Sequence, residues 1–263
     1  MIRSPLGLRI NPDPSRSPKD QIREAVRVGA RGVVLDASGD LGPDRLSETG
    51  RRDLRQTLRS IELSLIALNL PTRRPFDSED DLDTRLARAD RAFAMAYELG
   101  SRLVLVRAGA VPAEEAAVRH AAFFDALSEL GKRADHRGVR LAIETGTEPG
   151  PVLAAVLNTI ASPGLAASLD PATLLRMGHD PVMAARELAG WVAHAYASEA
   201  GGGSSRLVSN PRGFGFPGGV LDWEEYLGAL EEIDYRGFLT IWPDPSGDQA
   251  AQFAAIKARL DRY

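Results

Sequence analysis

Two carboxylates in this chain stand where a fold can put acids to chemical use. The stretch Arg140–Gly146, Arg-Leu-Ala-Ile-Glu-Thr-Gly, is a short apolar run that ends abruptly on Glu144. The run Leu165–Leu169 ends in the same way on Asp170. A helical pattern closed by Gly138 precedes the first run, and another opening near Pro149 separates the two. A carboxylate delivered at the C-terminal end of a buried strand can move a proton or hold a cation. Other chemically capable residues occupy equivalent places. Asp36 follows Val33–Leu35, Asn69 follows Leu63–Leu68, and Arg107 follows Leu103–Val106. His194 and Tyr196 lie two apart in Val192–Ala197, hence on one side of a strand, and Trp242 follows Gly237–Ile241. A guanidinium at Arg107 offers a bidentate grip on a carboxylate or phosphate, or a partner for Glu144.

The elements that must position these residues alternate regularly. Leu6–Ile10 reads as a first strand. Ser17-Pro18 then opens a helix with Ser as N-cap and Pro at its first position. A polar helix around Leu46–Ile61 follows the second strand, and Leu82, Leu86, Ala89, Phe93, Ala96 and Leu99 form one face of a helix that Gly100 stops. Pro112 opens a long helix through Phe123, Leu127 and Leu130. Further helical patterns run through Leu153–Ile160, from Gly178-His179-Asp180-Pro181 to Leu188, from Asp222-Trp223, and on to the C-terminal Tyr263. Glu199–Gly219 is glycine-rich and long; loops of that length are commonly lids, so a mobile cover over the strand ends is expected there.

Eight strand–helix alternations with apolar strands predict a parallel sheet closed into a single (β/α)8 barrel, a TIM barrel, spanning residues 1–263. A doubly wound open sheet is the alternative. No Gly-x-Gly-x-x-Gly follows the first strand, which speaks against a dinucleotide site.

Composition removes several classes. There is no cysteine, so disulfides, thiolate nucleophiles and thiolate metal sites are excluded. A net charge of −4 and a pI near 5.7 do not provide the basic face of a nucleic-acid binder. No apolar run approaches the length that spans a bilayer, and the first residues lack the apolar core of a signal peptide, so a cytoplasmic location is expected.

The pattern Leu141-Ala-Ile-Glu-Thr-Gly, then Leu169-Asp-Pro-Ala-Thr-Leu-Leu with Gly178-His-Asp-Pro, resembles the sugar phosphate isomerase/epimerase family of xylose-isomerase-like barrels. So does the tail, Gly219-Val-Leu-Asp-Trp-Glu-Glu-Tyr-Leu with Tyr235-Arg-Gly-Phe-Leu-Thr-Ile. The resemblance implies a divalent metal, Mn²⁺ or Mg²⁺, at the C-terminal mouth. Strand five would supply a Glu, strand six an Asp, strand seven a His and strand eight a Glu. The ion would polarise the sugar's oxygens while the two Glu residues move a proton at the neighbouring carbon. Glu144 and Asp170 match. The strand-seven ligand position holds Tyr196, with Ser198-Glu199 where the family has a Lys-Asp-like pair. The strand-eight Glu is replaced by Trp242, and Thr173 stands where the epimerases often carry His. A neutral phenol is a poor ligand and an indole is none, so no cofactor is expected unless the family's mechanism is retained through Glu144 and Asp170.

The resulting expectation is an isomerase- or epimerase-like barrel that binds a small sugar-like molecule at its mouth, with a degenerate metal site. Glu144 is the candidate catalytic group. Asp36, Asn69, Arg107, Asp170, His194, Tyr196 and Trp242 are candidate binding groups, Trp242 by stacking on a sugar face. For His194 the alternative is a hydrogen-bonded interior histidine, and for Trp242 simple filling of the metal's space. A catalytically inactive binding or sensor protein on the same scaffold is the main alternative. A zinc-dependent endonuclease of abasic DNA, from a related branch of these barrels, needs many His and carboxylate ligands and a DNA-binding face, and four histidines with an acidic pI speak against it. No nucleic-acid or membrane partner is expected; a homo-oligomer is compatible with the sequence.

Overall fold

The computed structural model describes residues 4–198, 221–245 and 247–263. Eight parallel strands close into a barrel in chain order. They are β1 (Leu6–Arg9), β2 (Gly32–Asp36), β3 (Ser64–Leu70), β4 (Leu103–Val106), β5 (Arg140–Glu144), β6 (Leu165–Leu169), β7 (Val192–Tyr196) and β8 (Leu239–Ile241). Among the described residues nine α-helices cover the outside. They are α1 (Pro18–Arg27), α2 (Glu48–Ser60), α3 (Leu82–Leu99), α4 (Ala117–His136), α5 (Gly150–Ile160), α6 (Pro171–Arg176), α7 (Pro181–Glu187), α8 (Trp223–Glu232) and α9 (Gln249–Leu260). The barrel expected from the alternation is therefore the fold. The expected cover, Glu199–Gly219, lies outside the described residues.

The helix starts follow local capping chemistry. Ser17, Ser47, Asp170, Asp180, Asp222 and Asp248 each accept a backbone N–H from the first turn of the helix they open. One start differs from expectation. The long fourth helix opens at Ala117, not Pro112, and its N-cap Ala116 has no capping side chain. A turn closed by Ala116 N–H to Ala113 C=O takes up the intervening residues, and Val111 N–H is held by Glu148. Two short helices, α6 and α7, fill the β6–β7 connection.

The strands have two distinct faces. Alternate residues pack outward against the helices in one large apolar cluster that includes Val33, Leu35, Val104, Leu141 and Leu165. The other face fills the barrel with a second, smaller cluster: Val34, Ala67, Leu105, Ala142, Ala166 and Tyr196, with Trp242 against it. Three of these interior positions are alanine, which leaves the upper barrel room for the rings of Tyr196 and Trp242. At the lower end the walls come close. A Cβ at Gly7 would collide with the Ile66 side chain.

Candidate active site at the barrel mouth

The interior face of each strand ends on a residue two beyond an interior neighbour, as the period-two alternation requires. Gly7 leads to Arg9, Val34 to Asp36, Ala67 to Asn69, Leu105 to Arg107, Ala142 to Glu144, Ser168 to Asp170, His194 to Tyr196, and Thr240 to Trp242. Seven of these end residues are recognisable from the sequence. The eighth, Arg9, is not singled out there, yet it is the hub of the group. The signal was present. Arg9 is the one charged residue in the first apolar run, and the strand stops on it, one residue short of the Ile10 at which the run itself ends.

Arg9 is 6% exposed. Its Nη1 donates to Glu144 Oε1 at 2.9 Å and to the Tyr196 hydroxyl at 2.6 Å. Its Nη2 lies 3.4 Å from Asp36 Oδ1. The guanidinium stacks on the Trp242 ring, 3.7 Å from its centroid. Burial acts to lower the Arg9 pKa, but the charge of its anionic partners outweighs it and the group is held more firmly protonated than usual.

Glu144 is enclosed. Oε1 accepts from Arg9 and from the Tyr196 hydroxyl at 2.8 Å, and Oε2 accepts from Arg107 Nε at 3.0 Å. Arg107 also reaches to 4.0 Å from Asp170 Oδ2, and just over half of its side chain is exposed. Tyr196 is fully buried, and burial, reinforced by the Glu144 charge, pushes its phenol well above the ordinary value, so it remains protonated.

Asp170 has a double occupation. Its carboxylate accepts the backbone N–H and the hydroxyl of Thr173, at 3.2 and 2.6 Å, and the Ser198 hydroxyl at 3.3 Å. It thereby caps α6 while facing the ring. Burial raises its pKa, and the Glu144 charge adds to the shift. Asp36 is likewise raised by burial, although Arg9 and the Asn69 amide, at 2.8 Å, work against this. Trp242 is fixed by its indole N–H to Asn11 Oδ1 at 2.8 Å.

His194 is placed deeper than a mouth residue. It has no exposed surface, and its two ring nitrogens meet Ser168 Oγ at 2.8 Å and Thr240 Oγ1 at 2.9 Å. Burial, with the nearby Arg9 charge, pushes its pKa down to about 3, so it is neutral. The expected role of His194 as a binding group is corrected here to an interior histidine. The strand alternation points it into the barrel, and the layer above it, Tyr196, closes the way to the mouth.

The same geometry bears on a divalent ion. Such an ion needs several free anionic or imidazole lone pairs converging on one point. Both oxygens of Glu144 face guanidinium or phenol donors, Asp170 is bonded to hydroxyls and a backbone N–H, and the His194 nitrogens are taken up by neighbours. Among the described residues no three His, Asp or Glu side chains form a group able to hold a metal ion.

A closed parallel barrel with charged groups gathered at the C-terminal strand ends has the architecture of a TIM barrel. The family model of the xylose isomerase-like TIM barrel matches residues 22–260, and the chain belongs to that family. No curated protein matches the chain significantly. Among solved structures, a xylose isomerase domain protein from Planctomyces limnophilus superposes with a TM-score of 0.76 at 18% identity, covering 98% of this chain and 95% of the other. An L-ribulose 3-epimerase superposes at 0.77 with 15% identity, over 98% and 93%. The probable 3-DHS dehydratase AsbF of Bacillus anthracis, involved in petrobactin synthesis, superposes at 0.71 with 16% identity, over 98% and 100%. At these identities the likeness is one of fold, and it spans more than one chemistry. No helix among the described residues is long and apolar enough to cross a membrane.

Proposed function

We propose that this protein is an isomerase- or epimerase-like barrel that binds a small polyhydroxylated, sugar-like molecule at the C-terminal mouth, and that it does so without a divalent ion. The observation that carries this reading is the pairing of Glu144 with two guanidiniums, Arg9 on one oxygen and Arg107 on the other. Where the family resemblance calls for a cation, the chain supplies its own. Asp36, Asn69, Arg107 and Asp170 are the polar groups available to hydroxyls, and the Trp242 ring offers an apolar face to sugar carbons. The fold neighbours support the ligand class in part, since one of them is described as an L-ribulose 3-epimerase.

A second reading, a binding or sensor protein without turnover, is favoured by the same pairing. Glu144 Oε1 already accepts from Arg9 and Tyr196 and Oε2 from Arg107, so three of the acceptor positions of the carboxylate are committed before any substrate C–H approaches.

The test is a thermal-shift and calorimetric screen of sugars, inositols and sugar acids, each with and without EDTA, followed by NMR detection of solvent deuterium at the carbon next to the carbonyl. A ligand whose affinity is unchanged by EDTA and lost in Arg107→Gln is expected. Deuterium incorporation would select the enzyme, and its absence the sensor. One equivalent of Mn²⁺ bound at micromolar affinity, and lost in Glu144→Gln, would overturn the metal-free reading. If no compound of these classes binds, the ligand class is wrong.

A further inference from the structure

A large groove lies away from the mouth. It has a volume of about 1010 Å³ and runs along α2 against the C-terminal turns of α3, down to the N-terminal ends of β3 and β4. Ser64 opens β3 and Arg102 precedes β4, so the groove reaches the end of the barrel opposite the ring of strand-end residues. Its floor is apolar, formed by Leu58, Leu63 and Leu65, and its walls are dominated by arginine.

The arginines divide into two sets. Arg51 pairs with Glu98 at 2.9 Å and Arg52 with Glu48 at 3.7 Å. The guanidiniums of Arg55, Arg59 and Arg102 have neither a hydrogen bond nor an ion pair among the described residues. Arg55 Nε is moreover buried with no acceptor. Arg102 stacks on the ring of the half-exposed Tyr97, 3.9 Å from its centroid, which fixes the guanidinium plane without using its N–H groups. Counting Glu62 as well, the lining holds five guanidiniums and three carboxylates. This local excess of positive charge sits on a chain whose net charge is −4. Elsewhere many arginines face carboxylates, as in Arg23–Asp20, Arg27–Glu24, Arg137–Asp90 and Arg186–Glu232, whereas among the described residues no ion pair ties up Arg55, Arg59 or Arg102 in the groove.

We infer that the α2–α3 groove is a binding site for a phosphate-bearing small molecule, with Arg55, Arg59 and Arg102 as its anion-binding residues. Unpaired guanidiniums, of which Arg102 is held in plane by the Tyr97 ring, match the geminal oxygens of a phosphoryl group, to which arginine donates two parallel N–H bonds. The groove is far larger than one phosphate ion and is of the size of small-molecule clefts, so a phosphate carrying an organic group fits it, with the Leu58–Leu63–Leu65 floor against the apolar part.

The test is calorimetric titration of the whole protein with inorganic phosphate and with tripolyphosphate, at constant ionic strength set by sodium chloride. Saturable 1:1 binding of tripolyphosphate is expected. Arg55→Gln and Arg102→Gln should each weaken it by about tenfold, the loss that goes with removal of a charge-assisted hydrogen bond. Arg59→Gln, at an exposed position where folding is not at risk, should weaken it in the same direction, and Arg23→Gln on α1 should leave it unchanged. Circular dichroism establishes that each variant is folded. The inference is overturned if no saturable heat is seen, if sulfate gives the same isotherm as tripolyphosphate, or if binding survives the three groove substitutions. It is also overturned if Arg107→Gln at the mouth abolishes tripolyphosphate binding.

Discussion

Arg9 and Glu144, 135 residues apart in the chain, meet inside the barrel at 2.9 Å between Nη1 and Oε1. Both are almost completely buried, and the Tyr196 hydroxyl touches both. The pair is a cross-brace between β1 and β5, on opposite sides of the closed sheet.

Replacement of Arg9 leaves Glu144 and Asp36 without their shared cation. Breaking a buried pair from one side is costly, so Arg9→Met is expected to lose about 3–5 kcal/mol of unfolding free energy. Arg9→Lys should recover only part of this, because a single ammonium cannot reach Glu144, Tyr196 and Asp36 with the planar fork of arginine. Urea unfolding at neutral pH measures both. A loss below about 1 kcal/mol for Arg9→Met, the size of an exposed pair, would show that the brace is not formed.

His194 makes stability depend on pH in the acid range. Its folded pKa of about 3 lies below the unbound reference of 6.5, so the unfolded chain takes up the proton first as pH falls. The stability it contributes is complete above pH 6.5 and is lost as the pH drops from there towards 3. Between pH 7 and pH 4 this loss amounts to about 3 kcal/mol. Denaturant titrations at the two pH values should show it, and His194→Gln should remove it. An NMR titration in which the imidazole protonates near pH 6 in the folded protein would contradict the interior placement.

Asp170 has the opposite sign. Burial and the Glu144 charge raise its folded pKa above 3.8, so the folded state keeps its proton longer than the unfolded chain as pH rises. Its favourable contribution is present below the unfolded value and is lost as the pH passes through the folded one. Asp170→Asn, which retains the acceptor for Thr173, should therefore gain stability relative to the parent at pH 7 compared with pH 3. Differential scanning calorimetry at both pH values decides it. A relative gain at pH 3 instead would mean that Arg107 dominates the carboxylate.

Gly146 positions the loop after β5. Its φ of +133° lies in the region that glycine occupies freely, and a Cβ there would run into Thr173. Gly146→Ala is expected to cost about 1–3 kcal/mol through backbone strain. It should also displace the Thr173 hydroxyl from Asp170. Thermal unfolding measures the first effect, and a changed Asp170 titration the second. An unchanged melting temperature would show that the loop has another conformation available.

The sequence by itself determined the eight-fold alternation, the closed barrel, and the end of it at which the polar strand-end residues gather. These follow from local rules: apolar runs of strand length, helix caps, and the inward turn of every second side chain. Asp36, Asn69, Arg107, Glu144, Asp170, Tyr196 and Trp242 are legible for that reason, each from its own strand. The tertiary structure alone decided which of them touch. Closure sets β1 beside β8 and brings Arg9 across the barrel to Glu144 and Tyr196, which no local period encodes. A register shift between β6 and β7 opposes His194 to Ser168 and fixes it as an interior group rather than a mouth one. The opening of α4 at Ala117 was settled by a turn and by the Val111–Glu148 contact, which joins residues 37 apart. Hydrophobic period is a property of a segment, whereas charge pairing inside a barrel depends on the register and closure of all eight strands.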